Sequence, residues 1–373
     1  MNSPFKFGNL VNDIYFINRK IEINRLQNNF RSGNNTVLIS PRRWGKSSLV
    51  AMAAKLLNDS NIKFVFLNVQ SFRNEETFFQ SYCQEILKVT MTRKDEFIDA
   101  GKTFFKRLVP RLSFTIDPIQ DLSVSFDWQE ASKAKGEILN LPETVAQQKQ
   151  IRIVMCIDEF QNITRINESE SILHELRASW MQHQNVSYCL YGSKRHMMLD
   201  IFNKESKPFY RFGDLMLLKK INREHWIEFI TKAFDRTNKR IFPQEANLIA
   251  EMAKDHSYYV QQLSHEVWIS TDNAASKEII QECVNRVIDT NAMFYQESTE
   301  NLSNTQINLL IAIANGIKQL TSSKAISNYK IGTPNNIRKN KLILEQKEIL
   351  DFHAGDSMFV DPFFEYWFRE NYL

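Results

Sequence analysis

The sequence predicts an α/β domain with a helix-flanked parallel β-sheet, followed by an all-helical lid and a winged helix-turn-helix domain. Short β-branched or apolar runs alternate with amphipathic helical patterns in the first part of the chain, as in βαβ units. Strand-like runs end near Leu218, and only helical patterns follow directly. Three helical segments and a strand-like tail then have the order of a winged helix. We predict domains at 1–219, 220–300 and 301–373.

Composition sets broad limits on the class of protein. The chain has 373 residues, of which 43% are apolar, and a formal net charge of +4. At roughly 100–200 residues per domain, this length predicts two or three domains. The apolar content is sufficient for a packed core and excludes a wholly disordered chain. The small net charge means that any basic surface would be local.

Targeting signals and cysteines predict a location. The N-terminal segment MNSPFKFGNL lacks the apolar centre of a signal peptide. No stretch reaches the roughly 18 consecutive apolar residues that a membrane-spanning helix needs. None of the four cysteines belongs to a CxxC pair, which favours a reducing compartment. We therefore expect a cytoplasmic protein that is not embedded in a membrane.

Five segments are predicted to form the strands of the sheet. The third, IRIVMCI, is almost continuously apolar, which is typical of a strand buried on both faces. Residues of about 91–150 interrupt the alternation, and we interpret them as an insertion between core strands. The pattern LSFTIDPIQDLSVSFDW around Pro118 predicts a hairpin within it. The predicted strands are Thr36–Ile39, Lys63–Val69, Ile151–Ile157, Val186–Tyr191 and Asp214–Leu218.

A candidate phosphate-binding loop lies between the first predicted strand and the following helix. Residues 40–48 read SPRRWGKSS and fit the pattern GxxxxGK[ST], except that Ser40 replaces the first glycine. Gly45 would let backbone N–H groups turn toward phosphate oxygens, and Lys46 would neutralise the β and γ phosphates. Ser47 would ligate Mg²⁺, and the helix dipole would add to phosphate binding. The alternative is a basic loop that only resembles the motif.

The whole loop belongs to the predicted nucleotide site of a P-loop parallel β-sheet. Trp44 is unusual in such a loop, and the sequence leaves open whether it packs internally or contacts a lid. The predicted nucleotide contacts of the loop are Pro41, Arg42, Arg43, Trp44, Gly45, Lys46, Ser47 and Ser48.

An acidic pair ends the third predicted strand. Asp158 and Glu159 follow the apolar run directly. Asp158 would hold Mg²⁺, and Glu159 would polarise the attacking water as general base. The alternative for the pair alone is a strand that ends in a polar turn. Its combination with a distant phosphate loop favours the functional interpretation.

Two further residues are candidates for the catalytic site. Ser193 follows a strand that we expect beside the phosphate loop, where it would sense the γ phosphate; the alternative is a simple Gly-Ser turn. Arg211 precedes the last strand and would act on a neighbouring subunit as an arginine finger. The alternative there is a surface arginine that supports its loop, so assembly into an oligomer stays open.

With these residues in hand, the chain resembles the archaeal-type ATPase family within the AAA+ and STAND-like P-loop NTPases. The matching segments occur in the order of the family and span nearly the whole chain. The resemblance implies a nucleotide domain, a helical lid and a winged helix, and it implies ATP as the nucleotide. The segments are FINRKIEINRL at Phe16–Leu26, SPRRWGKSSL, CIDEFQ, LYGSKRHMM, FYRFG, HSYYVQQL at His256–Leu263 and DPFFEYWF.

The resemblance also implies contacts with the adenine. Phe16 to Arg19 would lie along the base, with Ile17 and Asn18 offering backbone contacts. Arg42 and Arg43 match the arginine pair that the family usually has in its loop.

The lid helix would close over the base or the ribose near Tyr258 and Tyr259. The family usually has a Gly-x-Pro-like step before those tyrosines, whereas this chain has Asp255-His256-Ser257.

The predicted winged helix offers a surface for a partner. Thr333 and Pro334 are typical of a helix start, and the helix that they open carries Asn335, Arg338 and Lys341. These side chains would contact base edges and phosphates of duplex DNA. The alternative is a solvated helix face that binds a protein.

The predicted function is Mg²⁺-dependent ATP binding and hydrolysis coupled to a conformational change of the lid and winged helix. One alternative is a nucleotide-gated module for DNA binding or protein interaction with little turnover. Another is an interaction scaffold in which ATP is structural.

Overall fold

The computed structural model describes residues 2–10, 15–90, 113–115, 123–125, 128–166, 171–353 and 356–373. Contacts divide the chain into two units. The first, here called the sheet unit, comprises Arg19–Ser40 and Lys46–Leu218. The predicted domain boundaries remain predictions. The second, here called the helical unit, comprises Met1–Asn18, Pro41–Gly45 and Lys219–Leu373.

A five-stranded sheet of order β2-β5-β6-β1-β7 is the centre of the sheet unit. Every neighbouring pair in it is parallel, which confirms the predicted parallel sheet. A separate antiparallel pair, β3 and β4, matches the predicted hairpin, whose connecting residues lie outside the described part of the chain. The strands are β1 (Thr36–Ile39), β2 (Ile62–Asn68), β3 (Ser113–Thr115), β4 (Ser123–Ser125), β5 (Arg152–Asp158), β6 (Val186–Gly192) and β7 (Asp214–Leu217).

Helices cover the sheet because its central strands are apolar along their whole length. Ile153 to Ile157 of β5 are at most 1% exposed, as the continuous apolar run predicts for a strand with both faces covered. The α-helices of the sheet unit are α1 (Lys20–Ser32), α2 (Lys46–Leu57), α3 (Glu75–Thr90), α4 (Trp128–Ala131), α5 (Lys135–Leu139), α6 (Leu141–Lys149), α7 (Ser171–Trp180) and α8 (Arg195–Asn203).

Aromatic side chains fill much of the core of the sheet unit. Trp180 stacks on Tyr188 with ring centroids 4.1 Å apart, and Phe209 packs edge-on against Phe160 and Trp180. The described end of the predicted insertion belongs to this core, because Leu141 is fully buried in it. This packing holds the segment that follows β5 against the body of the unit.

The helical unit has one continuous apolar core. It extends from Phe5 through the helices after Lys219 to Phe368 near the C-terminus. The helix α12 is 24 residues long and packs on both the preceding helices and the last helix. The helices before the winged helix are α9 (Arg223–Asp235), α10 (Pro243–Met252), α11 (Ser257–Ser270) and α12 (Lys277–Glu300).

The winged helix follows within the same core. The hydroxyl of Thr333 caps α15 by accepting a hydrogen bond from the backbone N–H of Asn336, which confirms the predicted helix start. Phe363 and Phe364, near the C-terminus, are buried in this core. Its elements are α13 (Asn304–Ala314), α14 (Ser323–Tyr329), α15 (Pro334–Gln346), the antiparallel strands β8 (Leu350–His353) and β9 (Asp356–Phe359), and α16 (Pro362–Tyr372).

The cysteines are free thiols, and all of them are buried. Cys83, Cys156 and Cys189 lie in the sheet unit, and Cys283 lies in the helical unit. Across the described residues, none of the helices combines the length and the apolar character that crossing a membrane requires.

Candidate functional site

The topology of the sheet brings the phosphate-loop lysine and the acidic pair together. β1 and β5 both pair with β6 in parallel, so their carboxyl ends lie at one edge with β6 between them. Lys46 begins the helix after β1, and Asp158 ends β5. This edge is where open parallel sheets bind ligands. The predicted catalytic residues Lys46, Glu159 and Ser193 therefore meet within the sheet unit.

Short polar contacts join these side chains. The Lys46 ammonium lies 2.6 Å from Oε1 of Glu159 and 3.9 Å from Oδ1 of Asp158. The Ser47 hydroxyl donates to Oδ2 of Asp158 at 2.6 Å. The Ser193 hydroxyl donates to Oε2 of Glu159 at 2.8 Å. Both predicted metal ligands, Ser47 and Asp158, are thus in direct contact.

Burial and charge shift the pKa values of the two carboxyl groups in opposite directions. Burial raises the pKa of Asp158, and the Lys46 ammonium and the Ser47 hydroxyl only partly oppose it. Burial also acts on Glu159, but Lys46 and the hydrogen bonds to its carboxylate outweigh it and lower the pKa. Glu159 is consequently favoured as the ionised group, which a general base requires.

The backbone turns sharply at Glu159. Its φ of 51° is in the left-handed region, and a short 3-10 helix, Phe160–Arg165, begins directly after it. This turn folds Gln161 back onto Glu159, and the Gln161 amide donates to Oε2 at 2.5 Å. A left-handed residue other than glycine costs about 1–3 kcal/mol and is common at functional sites.

The phosphate loop needs glycine at position 45 because of its backbone conformation. Gly45 has a φ of +89°, a region that residues with a Cβ rarely adopt, although a Cβ there would meet no atom within 4 Å. Ser40 is buried at the position of the missing first glycine, and its N–H donates to the carbonyl of Gly192.

Within the helical unit, the loop residues contact the predicted lid helix α11. The Ser257 hydroxyl donates to the carbonyl of Trp44 at 3.4 Å, and the ring of His256 packs edge-on against Trp44. Burial, together with the cations Lys220 and Arg43, lowers the pKa of His256 to about 3. A neutral imidazole therefore packs on the loop. Trp44 is a lid contact, which the sequence had left open.

The two loop arginines contact different parts of the helical unit. The Arg43 guanidinium lies 4.4 Å from the ring centroid of Tyr258 and donates to the hydroxyl of Tyr259 at 3.3 Å. Arg42 forms an ion pair of 2.6 Å with Glu348, which directly follows α15 and its cap residue in the winged helix. The loop thereby contacts both the lid helix and the winged helix.

Other predicted site residues are spread over both units. In the helical unit, Ile17 is buried in the apolar core, Phe16 is half-buried, and Asn18 is exposed with a φ of 47°. Their adenine contacts stay a prediction. In the sheet unit Ser48 is buried, and Arg211 is exposed with its guanidinium over the ring of Tyr210. Its role as an arginine finger also stays a prediction. Pro41 is buried in the loop.

The oxygen ligands at this edge fit Mg²⁺. Mg²⁺ is usually held by one or two carboxylates together with substrate phosphates and water, and it needs no all-protein cage. Asp158 and the Ser47 hydroxyl supply such oxygens in contact with each other. Among the residues that the structure describes, no group of three or more histidine, cysteine, aspartate or glutamate residues could hold a metal.

A phosphate loop between strand and helix, joined to an acidic pair two strands away, defines the class: this is a P-loop ATPase. A family model described as an ATPase domain predominantly from Archaea matches residues 16–251. The match covers more than half of the chain, and the protein belongs to this family. A second model, described as a probable winged helix domain, matches residues 293–370. The resemblance inferred from the motifs is therefore confirmed.

Solved structures share this fold at low sequence identity. The Walker-type ATPase paby2304 of Pyrococcus abyssi is 15% identical, with a TM-score of 0.66 over 95% of this chain and 96% of that one. The Aeropyrum pernix ORC2 protein is 12% identical, with a TM-score of 0.57 over 99% and 98%. The Aeropyrum pernix ORC1 protein, solved in complex with DNA, is 11% identical, with a TM-score of 0.52 over 100% and 98%. Comparison with curated proteins finds no relative.

Sequence reasoning missed three residues of the site. Gln161 was visible only as the last letter of the CIDEFQ segment, and no periodicity assigned it a contact. His256 appeared only as a departure from the family pattern. No pattern in the sequence indicated that Glu348 pairs with Arg42.

Replacement of Gly45 by valine is expected to weaken ATP binding by at least about tenfold. A β-branched residue at positive φ is strained by a few kcal/mol, and each 1.4 kcal/mol is tenfold in affinity. Titration with a fluorescent ATP analogue measures the effect. Gly136→Ala, at an open helical position, is the control and should bind as the wild type does. Wild-type affinity in Gly45→Val would contradict the predicted loop conformation.

Proposed function

We propose that this ATPase requires Mg²⁺ and couples ATP hydrolysis to a rearrangement of its helical lid and winged helix. The observation that carries the proposal is the set of contacts joining Lys46, Ser47, Asp158 and Glu159. These four side chains supply a cation that binds the phosphates, two oxygen ligands for the metal and a general base. Phosphoryl transfer to water needs these groups.

Each residue has a distinct role in this proposal. Lys46 binds the phosphates, and Ser47 and Asp158 hold Mg²⁺, whose chemistry is to neutralise charge on the phosphate oxygens. Glu159 orients and deprotonates the attacking water. Ser193 lies beside Glu159 and reports on the γ phosphate. Because Lys46 contacts Glu159, a bound phosphate competes for the ammonium and leaves Oε1 of Glu159 to accept a proton.

Contacts of the loop within the helical unit support the coupling. Arg43 contacts the lid tyrosines, and Arg42 pairs with Glu348 of the winged helix. The same loop continues through Gly45 into Lys46. Binding of phosphate at the loop draws its arginines away from these partners, so the loop changes its contacts with the lid and the winged helix. Differential contacts of this kind are what a nucleotide-driven switch requires.

The exposed side of α15 favours a second candidate activity, binding of duplex DNA. Asn335, Arg338 and Lys339 are exposed along it, whereas Lys341 is half-buried with its ammonium 5.0 Å from the ring centroid of Phe352. The similar ORC1 protein was solved with DNA. We propose that α15 contacts DNA phosphates and base edges, with a protein partner as the alternative.

Glu159→Gln is expected to lower ATP turnover by about 10²–10⁴-fold, because the amide cannot take the proton of water. ATP affinity should stay within about threefold, since the phosphate and metal ligands remain. Phosphate release and equilibrium binding measure the two quantities. Glu137→Gln, at an exposed helical position, is the control.

Two outcomes contradict the proposal. Undiminished turnover in Glu159→Gln would show that Glu159 is not the general base. Equal turnover in EDTA and in magnesium buffer would show that the reaction does not need Mg²⁺. A wild-type protein that keeps ATP through purification but never hydrolyses it would instead support a structural nucleotide.

Glu348→Gln is expected to tighten ATP binding by about twofold to fivefold. Partly exposed ion pairs contribute roughly 0.2–1 kcal/mol, and loss of the pair frees Arg42 for phosphate. Isothermal titration of the variant against the wild type checks this. Glu370→Gln, exposed on α16, is the matched control. Unchanged or weaker ATP binding in Glu348→Gln would show that the winged helix does not restrain the loop.

The double variant Arg338→Ala, Lys339→Ala is expected to weaken binding of duplex DNA. It should also reduce the slope of log affinity against log salt by about 1–2, since each phosphate contact contributes about 0.9. Fluorescence anisotropy at several salt concentrations measures the slope. Lys55→Ala in the sheet unit serves as the control for loss of one positive charge. An unchanged slope would favour a protein partner for this surface.

A further inference from the structure

Gln161 is a buried polar residue that the proposed roles do not use. It lies in the 3-10 helix after Glu159, and its side chain is 0% exposed. Burial of an amide costs free energy unless its hydrogen bonds are made. The NH₂ end of the Gln161 amide makes such a bond to Oε2 of Glu159, 2.5 Å away, whereas its Oε1 is buried without one.

Chemistry fixes which end of the Gln161 amide faces Glu159. An ionised carboxylate only accepts hydrogen bonds, so the NH₂ group of Gln161 must be the donor. The opposite end, Oε1, points toward Gly192 at the end of β6. A Cβ at position 192 would lie 2.0 Å from that oxygen, so a side chain there would displace the amide from this position. Gly192 and Gln161 therefore fit each other closely.

The neighbours of Gln161 hold it in place. Phe160 and Ile163, on either side of it in the same 3-10 helix, are fully buried in the core of the sheet unit. The Thr164 hydroxyl donates to the Gln161 carbonyl at 3.0 Å, which stabilises the turn. A side chain fixed by packing and by its own backbone loses little entropy when it orients another group.

Three donors from two residues converge on the same oxygen of Glu159, one of them the backbone N–H of Ser193 at 3.4 Å. Gln161 and the Ser193 hydroxyl, at 2.5 and 2.8 Å, both donate to Oε2, whereas Lys46 contacts Oε1. Oε2 is therefore the anchored oxygen. Oε1 is the oxygen that becomes available when the ammonium turns to a phosphate.

We infer that Gln161 is a positioning residue for ATP hydrolysis, which anchors Oε2 of Glu159 so that Oε1 faces the attacking water. The inference rests on the proposed role of Glu159 as general base. Loss of the Gln161 donor leaves Oε2 held by Ser193 alone, so the carboxylate rotates more freely about its terminal torsion, which is broad for glutamate. Asparagine is one methylene too short to reach, and glutamate would place two carboxylates side by side.

The test uses Gln161→Met, which keeps the length and removes the donor. We expect kcat to fall about 10–100-fold, a fraction of what a general base contributes, while the ATP Kd stays within about threefold. Arg165→Ala and Asn162→Ala, in the same 3-10 helix, are controls and should keep wild-type kcat. Gln161→Glu is a second variant of equal length, and it should also lose kcat without losing ATP.

A double-mutant cycle separates positioning from damage to the fold. If Gln161 acts through Glu159, the pair Glu159→Gln, Gln161→Met should be no slower than Glu159→Gln alone. A merely structural role predicts losses that multiply, together with weaker ATP binding and a lower Tm, and that result would overturn the inference.

The inference and the proposed function fail in different ways. Normal kcat in Gln161→Met beside an inactive Glu159→Gln overturns only the role of Gln161. Normal kcat in Glu159→Gln, or no turnover in the wild type, overturns the general base and the role of Gln161 with it.

Discussion

The contact between the Lys46 ammonium and the Glu159 carboxylate is the interaction on which the site depends. Both groups are largely buried, and a buried charge without its partner costs several kcal/mol. The two residues meet only because β6 lies between β1 and β5, with all three strands parallel. A different strand order would separate lysine and carboxylate by the width of further strands, each about 4.8 Å. The strand order of the sheet thus determines how close the lysine and the carboxylate lie, whatever the conformation of the loops.

Much of this arrangement could be predicted from the sequence, because the signals were local. The predicted bounds of β1 are those of the structure, and α15 begins at Pro334 as its Thr333 cap indicates. The proximity of Asp158 and Glu159 to Lys46 could be predicted because the carboxyl ends of parallel strands lie at the same edge of a sheet. The contact from Gln161 could not be predicted, since it depends on the left-handed backbone of Glu159, which leaves no mark in hydrophobic periodicity.

The contacts of the phosphate loop were beyond sequence reasoning for a different reason. Resemblance assigned Arg42 and Arg43 to the nucleotide, and their partners in the helical unit lie more than two hundred positions away along the chain. An arginine side chain is long and flexible enough to reach several acceptors, and the sequence alone does not indicate which one it contacts. The helical unit explains the choice: its single apolar core runs from the lid helices to the last helix, so α11 and the end of α15 are held together. One loop can therefore contact both.

Because all four thiols are buried, their rates of alkylation measure how often each unit opens locally. Three cysteines belong to the sheet unit and Cys283 belongs to the helical unit, so alkylation at each position reads a different part of the molecule. Because a buried thiol reacts only after its surroundings open, brief exposure to iodoacetamide followed by peptide mass spectrometry yields separate opening free energies. If bound nucleotide stabilises one unit more than the other, it would slow alkylation more in that unit. The native cysteines detect this difference without an engineered probe.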